Sequence, residues 1–226
     1  MKIFAIMCTR GKDLNPITNK LIDTLSSYGV EVKVLVNQQS IFSAYKKGVD
    51  SCNADSKDII ICCHDDIDIR SSKSEFLSAV AKCVHEKTGI VGPAGTTLLG
   101  EDAVWWDQDR WKEGFHRGEV KHVSKDQDTH KTYYGDPGRV VVLDGLFLAA
   151  RKEVWEAVGL EKPEYFEGDW DFYDIHYTSK SHLLGYHNHA IFLNIIHHSA
   201  GELVGRDSWY KNREAFIKNT VLPLGV

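Results

Sequence analysis

From Lys2 to Val91 the chain alternates short β-branched, apolar runs with amphipathic segments of helical period, and this rhythm narrows the folds open to it more than any other feature. Lys2 to Cys8 suits a buried strand. Asn15 to Tyr28 carries Ile17, Leu21, Ile22 and Leu25 at helical spacing, with Gly29 as its stop. Val30 to Val36 reads as an alternating strand, Ile41 to Val49 as a second amphipathic helix, and Asp58 to Cys63 as a third strand, apolar from Ile59 on. Ser72-Lys73-Ser74-Glu75 has the spacing of a capping box ahead of Phe76, Leu77, Val80 and Val84, and Ile90-Val91 opens a fourth strand that Gly92-Pro93 ends. Strands and helices in this order imply right-handed crossovers, hence an α/β fold with a mostly parallel central sheet flanked by helices. In such sheets ligands sit beyond the carboxyl ends of the strands.

After Gly92 the rhythm breaks. Residues 93–138 are rich in Gly, Trp, Asp and His, lack a long periodic segment, and read as a long excursion rather than a second core. Regular structure is predicted to return with an apolar strand over Arg139 to Ala150, interrupted by Asp144-Gly145, and a short helix over Lys152 to Val158. A helix within Phe172 to Leu184, a strand over Ala190 to Ile196 and an amphipathic segment over Ser208 to Val221 follow. No internal repeat is present, and 226 residues suit one elaborated domain.

Charge and cysteine usage exclude several functions. Lys plus Arg number 27 against 32 Asp plus Glu, a formal charge of −5, which disfavours nucleic acid as a partner. The five cysteines show no C-x-x-C spacing and read as reduced core thiols, an expectation of a cytoplasmic protein. The apolar run Ile3 to Cys8 is too short for the core of a leader peptide, and no stretch approaches the length of a membrane span.

The stretch Ile59 to Asp68 carries the most chemistry. An apolar strand enters the core and ends in His64-Asp65-Asp66-Ile67-Asp68, three carboxylates within four residues. Anions that close call for a cation, and a hard divalent ion such as Mn²⁺ or Mg²⁺, sharing carboxylates with diphosphate oxygens, answers the need. The competing arrangement has Asp65 and Asp66 capping the turn while Asp68 is solvated. Farther on, Asp169 and Asp171 stand two residues apart, and they serve either a catalytic site or the first turn of a helix. Trp105, Trp106 and Trp111 offer apolar platforms to a sugar ring or pack beneath the long excursion.

Taken in order, these motifs resemble a glycosyltransferase of the GT-A type, near the inverting family 2 group. Asp66-Ile67-Asp68 is similar to its metal-binding D-x-D element, and Ser43 to Gly48 to the helix before that strand. Gly89 to Gly95 with Trp105-Trp106, then Val142 to Arg151, Phe166 to Asp174, Gly185-Tyr186 and His197-His198-Ser199-Ala200-Gly201 follow the same order. The chain departs from the family where His176 replaces a second acid after Tyr173-Asp174, and where Gly168-Asp169 replaces a Glu-Asp pair.

The resemblance implies a nucleotide-binding half over 1–92, an acceptor and catalytic half over 93–226, and inverting transfer from a nucleoside-diphosphate sugar to a saccharide or other hydroxyl acceptor. It implies Asp66, Asp68 and His197 as ligands of Mn²⁺ or Mg²⁺, and Thr9, Arg10, Asn37, Lys46, Asp65 and Asp66 as donor contacts. Trp105, Trp106, Asp144 and Gly145 would meet substrate, and Asp169, then Asp171, would take the acceptor proton. Two other functions stay open. Thr9-Arg10 with Pro16-Ile17-Thr18 loosely matches the opening of sugar-nucleotide nucleotidyltransferases, although Met7-Cys8 replace the glycines that phosphates require. A non-catalytic carbohydrate-binding domain would keep the fold and lose the chemistry.

Overall fold

The computed structural model describes residues 1–123, 129–199 and 207–226. The first half follows the alternation read from the sequence: β1 (Ile3–Cys8), α1 (Pro16–Ser27), β2 (Glu31–Leu35), α2 (Ile41–Asp50), β3 (Ile59–Cys63), β4 (Ile67–Ile69), α3 (Lys73–Val80) and β5 (Thr88–Gly92). Its helices begin where side chains satisfy the orphan N–H groups of a first turn. Asn15 caps α1 ahead of Pro16, Ser40 caps α2, and the Ser72–Glu75 box caps α3 with both of its reciprocal bonds made.

The second half holds β6 (Ala94–Thr96), β7 (Leu98–Leu99), α4 (Gln108–Lys112), β8 (His116–Val123), β9 (Thr129–Gly135), β10 (Gly138–Val140), β11 (Val142–Leu143), β12 (Phe147–Arg151) and α5 (Lys152–Val158). It closes with α6 (Tyr173–Leu183), β13 (His187–Ala190), β14 (Ile195–His197), α7 (Asp207–Asn219) and β15 (Leu224–Gly225). A seven-stranded sheet in the order β10-β13-β5-β12-β3-β1-β2 forms the centre. In it β2, β1, β3, β5 and β13 run one way, and β12 and β10 run the other. The central strands β1 and β3 are apolar on both faces because both faces are covered, as their continuous buried runs show.

Two expectations are corrected. The stretch 93–138 supplies strands β6, β8 and β9 to a second sheet, ordered β11-β6-β8-β14-β4 with β9 against β8. Its alternation is real but chemically disguised: β8 buries His116, Gly118 and Val120 while Arg117, Glu119 and Lys121 face outward. The strand expected over Ala190 to Ile196 is two strands. β13 ends in the central sheet at Ala190, and β14 begins in the second sheet at Ile195, so 191–194 cross between them.

Candidate functional site

β1 and β3 run side by side in register, Ile3 opposite Ile59 and Met7 opposite Cys63, so they end level. Beyond their carboxyl ends, Thr9-Arg10 and His64-Asp65-Asp66 open onto a cavity of about 620 Å³. The second sheet supplies the opposing wall. β14 pairs antiparallel with β4, placing His197 opposite Ile67, and the His198 N–H donates to the Asp66 carbonyl at 2.8 Å. Residues far apart in sequence thus converge at one strand end.

His64, Asp66 and His197 each present one ligating atom, and the three atoms lie within 4.8 Å of one another. Asp66 Oδ1 is 3.4 Å from His197 Nε2 and 3.7 Å from His64 Nδ1, and the two ring nitrogens are 3.4 Å apart. Among the described residues, that buried oxygen has no hydrogen-bond partner. A buried anionic acceptor facing two imidazole nitrogens is the donor set a divalent transition ion fits. The charges agree. Burial works against ionised Asp66, yet His197 beside it and then the charge of His64 hold its carboxyl down at about 2. Burial opposes charge on His197 too, but Asp66 outweighs it and raises that imidazole; at His64 burial wins and the ring is lowered.

A pair of carboxylates lies beside the triad. Asp144 follows β11, and Asp174 stands in the first turn of α6, where its Oδ2 accepts the Gly145 N–H at 3.1 Å. Burial, and then the charge of Asp144, push Asp174 up to about 7. Like charges in a partly dry site cannot both ionise freely, so one acid is left poised near neutrality.

The remaining walls are aromatic. Trp105 is 2% exposed and meets Trp106 edge to face at 5.9 Å; Trp106 in turn packs 5.5 Å from Trp209 on α7. Arg10 lies over the Trp170 ring, 4.3 Å from its centroid. On β8, His122 stands opposite His197 and stacks on His130 of β9, and both His122 and His130 face the cavity.

The structure brings most of the expected residues together. Thr9, Arg10, Asp65, Asp66, Trp105, Trp106, Asp144, Gly145, Asp171 and His197 all line the cavity. Four do not line it. Asp68 lies within β4, 3% exposed, where Lys20 Nζ at 2.8 Å and Arg70 at 2.6 Å neutralise it. It stands apart from the Asp66 cluster, and its charge is met by two cations of the chain itself. Asp169 pairs with Lys162 at 3.1 Å outside the cavity. Lys46 sits on the outer face of α2, paired with Asp50 and Glu161. Asn37 takes a left-handed turn, φ 53°, and donates its N–H to the Gly11 carbonyl, a role in loop geometry that Asn tolerates well. Asp171 accepts a hydrogen bond from Ser208 Oγ at the cavity edge. Ala200 and Gly201 lie outside the described residues.

Sequence reasoning missed His64, Tyr173 and Asp174. The spacing His64-x-Asp66 was a usable signal for the first, since two residues apart at a strand end can share a face. The carboxylate pair of Asp144 and Asp174 had no local signal at all.

Because Asp68 is tied to Lys20 and Arg70, Asp68→Asn should lower stability by about 1.5–3 kcal/mol, the range for a charge-assisted hydrogen bond. Lys20 and Arg70 are half exposed and resolvate, so the cost stays below that of a fully buried pair. Urea denaturation should show the loss, and Mn²⁺ titration should show affinity unchanged.

Residues 7–219 match the sequence profile described as "Glycosyltransferase like family". The streptomycin biosynthesis protein StrF of Streptomyces griseus is 29% identical over 154 residues, which cover 65% of this chain and 50% of that protein. The chain thus spans half the length of that curated relative. A crystal structure of GalNAc-T7 with UDP, GalNAc and Mn²⁺ superposes with a TM-score of 0.57 at 11% identity, over 96% of this chain and 48% of the other, and shows a shared GT-A fold. The 4-diphosphocytidyl-2C-methyl-D-erythritol synthase of Anaerococcus prevotii aligns over 96% of this chain and 98% of its own at 11% identity, with a TM-score of 0.44.

Proposed function

The chain belongs to the glycosyltransferase-like family, and on that premise we propose that it moves a sugar, with inversion, from a nucleoside-diphosphate donor to a hydroxyl acceptor, using a divalent cation held by His64, Asp66 and His197. The observation that carries this reading is the buried Asp66 Oδ1, without a hydrogen bond among the described residues and facing two imidazole nitrogens at the cavity wall. Two imidazoles and one carboxylate suit Mn²⁺ better than Mg²⁺, which prefers an all-oxygen shell. When bound, the ion offsets the charge that develops on the departing diphosphate.

The residues of the chain divide the remaining work. Thr9, Arg10 and Asp65 border the donor side, and the Arg10 guanidinium is the charged group nearest in kind to what a phosphate or a base requires. Asp174 takes the acceptor proton. Its carboxyl stands near neutrality, where a general base combines adequate basicity with a useful ionised fraction. Burial, and then the charge of Asp144, keep Asp174 from acidifying, and Asp171 borders the acceptor side near Trp170. Trp106, half-buried, offers an apolar face to a sugar ring, while Trp105, buried against Trp106 and Tyr134, and Trp209 hold it still. Donor contacts come mainly from 1–92 and acceptor contacts from 93–226, two functional halves built on one central sheet. None of the described helices is long and apolar enough to cross a membrane.

Thermal-shift measurement with UDP-, GDP-, dTDP- and CMP-sugars, each with and without Mn²⁺, tests the reading. A ligand at ~100 times its Kd stabilises the native state by about 2.7 kcal/mol. At about 2–4 °C per kcal/mol for a chain of this size, one nucleotide should raise Tm by about 5–11 °C, and only with metal present. A shift with free saccharide alone, indifferent to Mn²⁺ and nucleotide, would favour a carbohydrate-binding domain instead.

A further inference from the structure

Tyr173 stands at the first position of α6, almost fully buried, with its hydroxyl between two partners. One is His64 Nε2 at 2.7 Å, and the other is the Gly145 carbonyl at 3.0 Å. A phenol has one proton to give. The carbonyl can only accept, so the proton goes to Gly145, and toward His64 the oxygen must itself accept. Nε2 of His64 then carries a hydrogen, which leaves the lone pair on Nδ1. Nδ1 is the atom that faces Asp66 Oδ1 and His197 Nε2.

We propose that Tyr173 is a positioning residue which, through the chain from His64 Nε2–H to the Tyr173 hydroxyl to the Gly145 carbonyl, holds His64 in the one tautomer able to ligate a metal. The proposal rests on the reading of His64, Asp66 and His197 as a metal site, and adds to it the device that makes His64 a ligand. Reversing the chain would leave Gly145 O, a buried carbonyl, without its donor, at the cost attached to any unpaired buried polar group. The acceptor is itself fixed. The Gly145 N–H is held by Asp174 Oδ2 at 3.1 Å, so the adjacent residues Tyr173 and Asp174 grip the same glycine from both ends. Any Cβ at Gly145 would collide with Tyr173 Oη, which accounts for glycine at this position. Metal ligand and acceptor-side acid are thereby referred to one rigid peptide.

The test uses metal-free protein first. Long-range ¹H–¹⁵N NMR of the histidine side chains reports which ring nitrogen bears the proton, and wild-type His64 should be uniformly protonated at Nε2. Tyr173→Phe removes only the hydroxyl. It should mix the His64 tautomers and weaken Mn²⁺ binding, read by electron paramagnetic resonance, by about 10- to 100-fold, the usual effect of losing a partner behind a metal-bound histidine. Protonation of wild-type His64 at Nδ1 would overturn the proposal, and this arm needs no variant to fold. So would a folded Tyr173→Phe protein with the wild-type tautomer and Mn²⁺ affinity. Failure of the wild type to bind Mn²⁺ at all would instead overturn the underlying reading of the triad, which the metal-free spectrum does not depend on.

Discussion

Asn in place of Asp66 is expected to abolish the Mn²⁺-dependent part of donor binding and to lower sugar transfer about 10³-fold. The magnitude follows from the several kcal/mol of transition-state charge stabilisation that a Lewis-acidic ion contributes, at 1.4 kcal/mol per tenfold in rate. Asp66 is the single anion of the triad, and its buried oxygen is the atom both imidazoles face. Asn keeps the shape and removes the charge. Calorimetric titration of Mn²⁺ into the variant, together with a transfer assay on the donor identified by thermal shift, would read both effects. Wild-type affinity in the variant would exclude Asp66 as a ligand.

Asp174→Asn is expected to lower kcat by about 10²- to 10⁴-fold, the usual contribution of a general base, with Mn²⁺ and donor binding retained. In the wild type, kcat/KM should rise with pH through about 7 as the carboxyl ionises. The same substitution should affect stability in the opposite sense. Burial and Asp144 raise the carboxyl of Asp174 above its unfolded value, so the native state holds a proton that the unfolded state releases. Stability from this group is greatest below about pH 4 and declines as pH rises through about 7, where native Asp174 must ionise beside Asp144. Asn escapes that cost while its oxygen still accepts the Gly145 N–H, so the variant should melt above the wild type at pH 8 and show no such advantage at pH 4. An inactive variant that is more stable only at high pH marks a residue kept for chemistry at the expense of stability. An active variant would return the base role to Asp171, which also borders the cavity.

How much of this was legible in sequence depends on whether the decisive interactions are local. α1, α2 and α3 were readable because their caps and apolar faces lie within a few residues of one another. β1 and β3 were readable because a strand buried on both faces must be apolar throughout. β8 was not, because two of its three buried residues are His116 and Gly118, which no hydropathy pattern marks as inward. The run from Ala190 to Ile196 looked like one strand because both of the strands it feeds are buried, and only the pairing partners, β5 for one and β4 with β8 for the other, divide it.

The site shows the same division. The acid-rich end of β3 marked the location, yet not which side chains cluster there. Asp66 and Asp68 have the same spacing as a metal-binding pair, and what separates them is Lys20, 48 residues away, together with Arg70. His64 joins Asp66 and His197 because it directly follows β3 at the cavity, where Tyr173, 109 residues on, meets its ring. Asp169 and Asp174 belong to one acid-rich stretch, and the start of α6 decides between them, turning Asp174 inward to Gly145 and leaving Asp169 with Lys162.

Anomalous diffraction at the manganese edge, from crystals soaked with Mn²⁺ and a nucleoside diphosphate, examines the metal centre itself. The expected result is one peak within bonding distance of His64 Nδ1, Asp66 Oδ1 and His197 Nε2, with diphosphate oxygens completing its shell. A peak elsewhere, or none at the triad with nucleotide bound in the cavity, would contradict it.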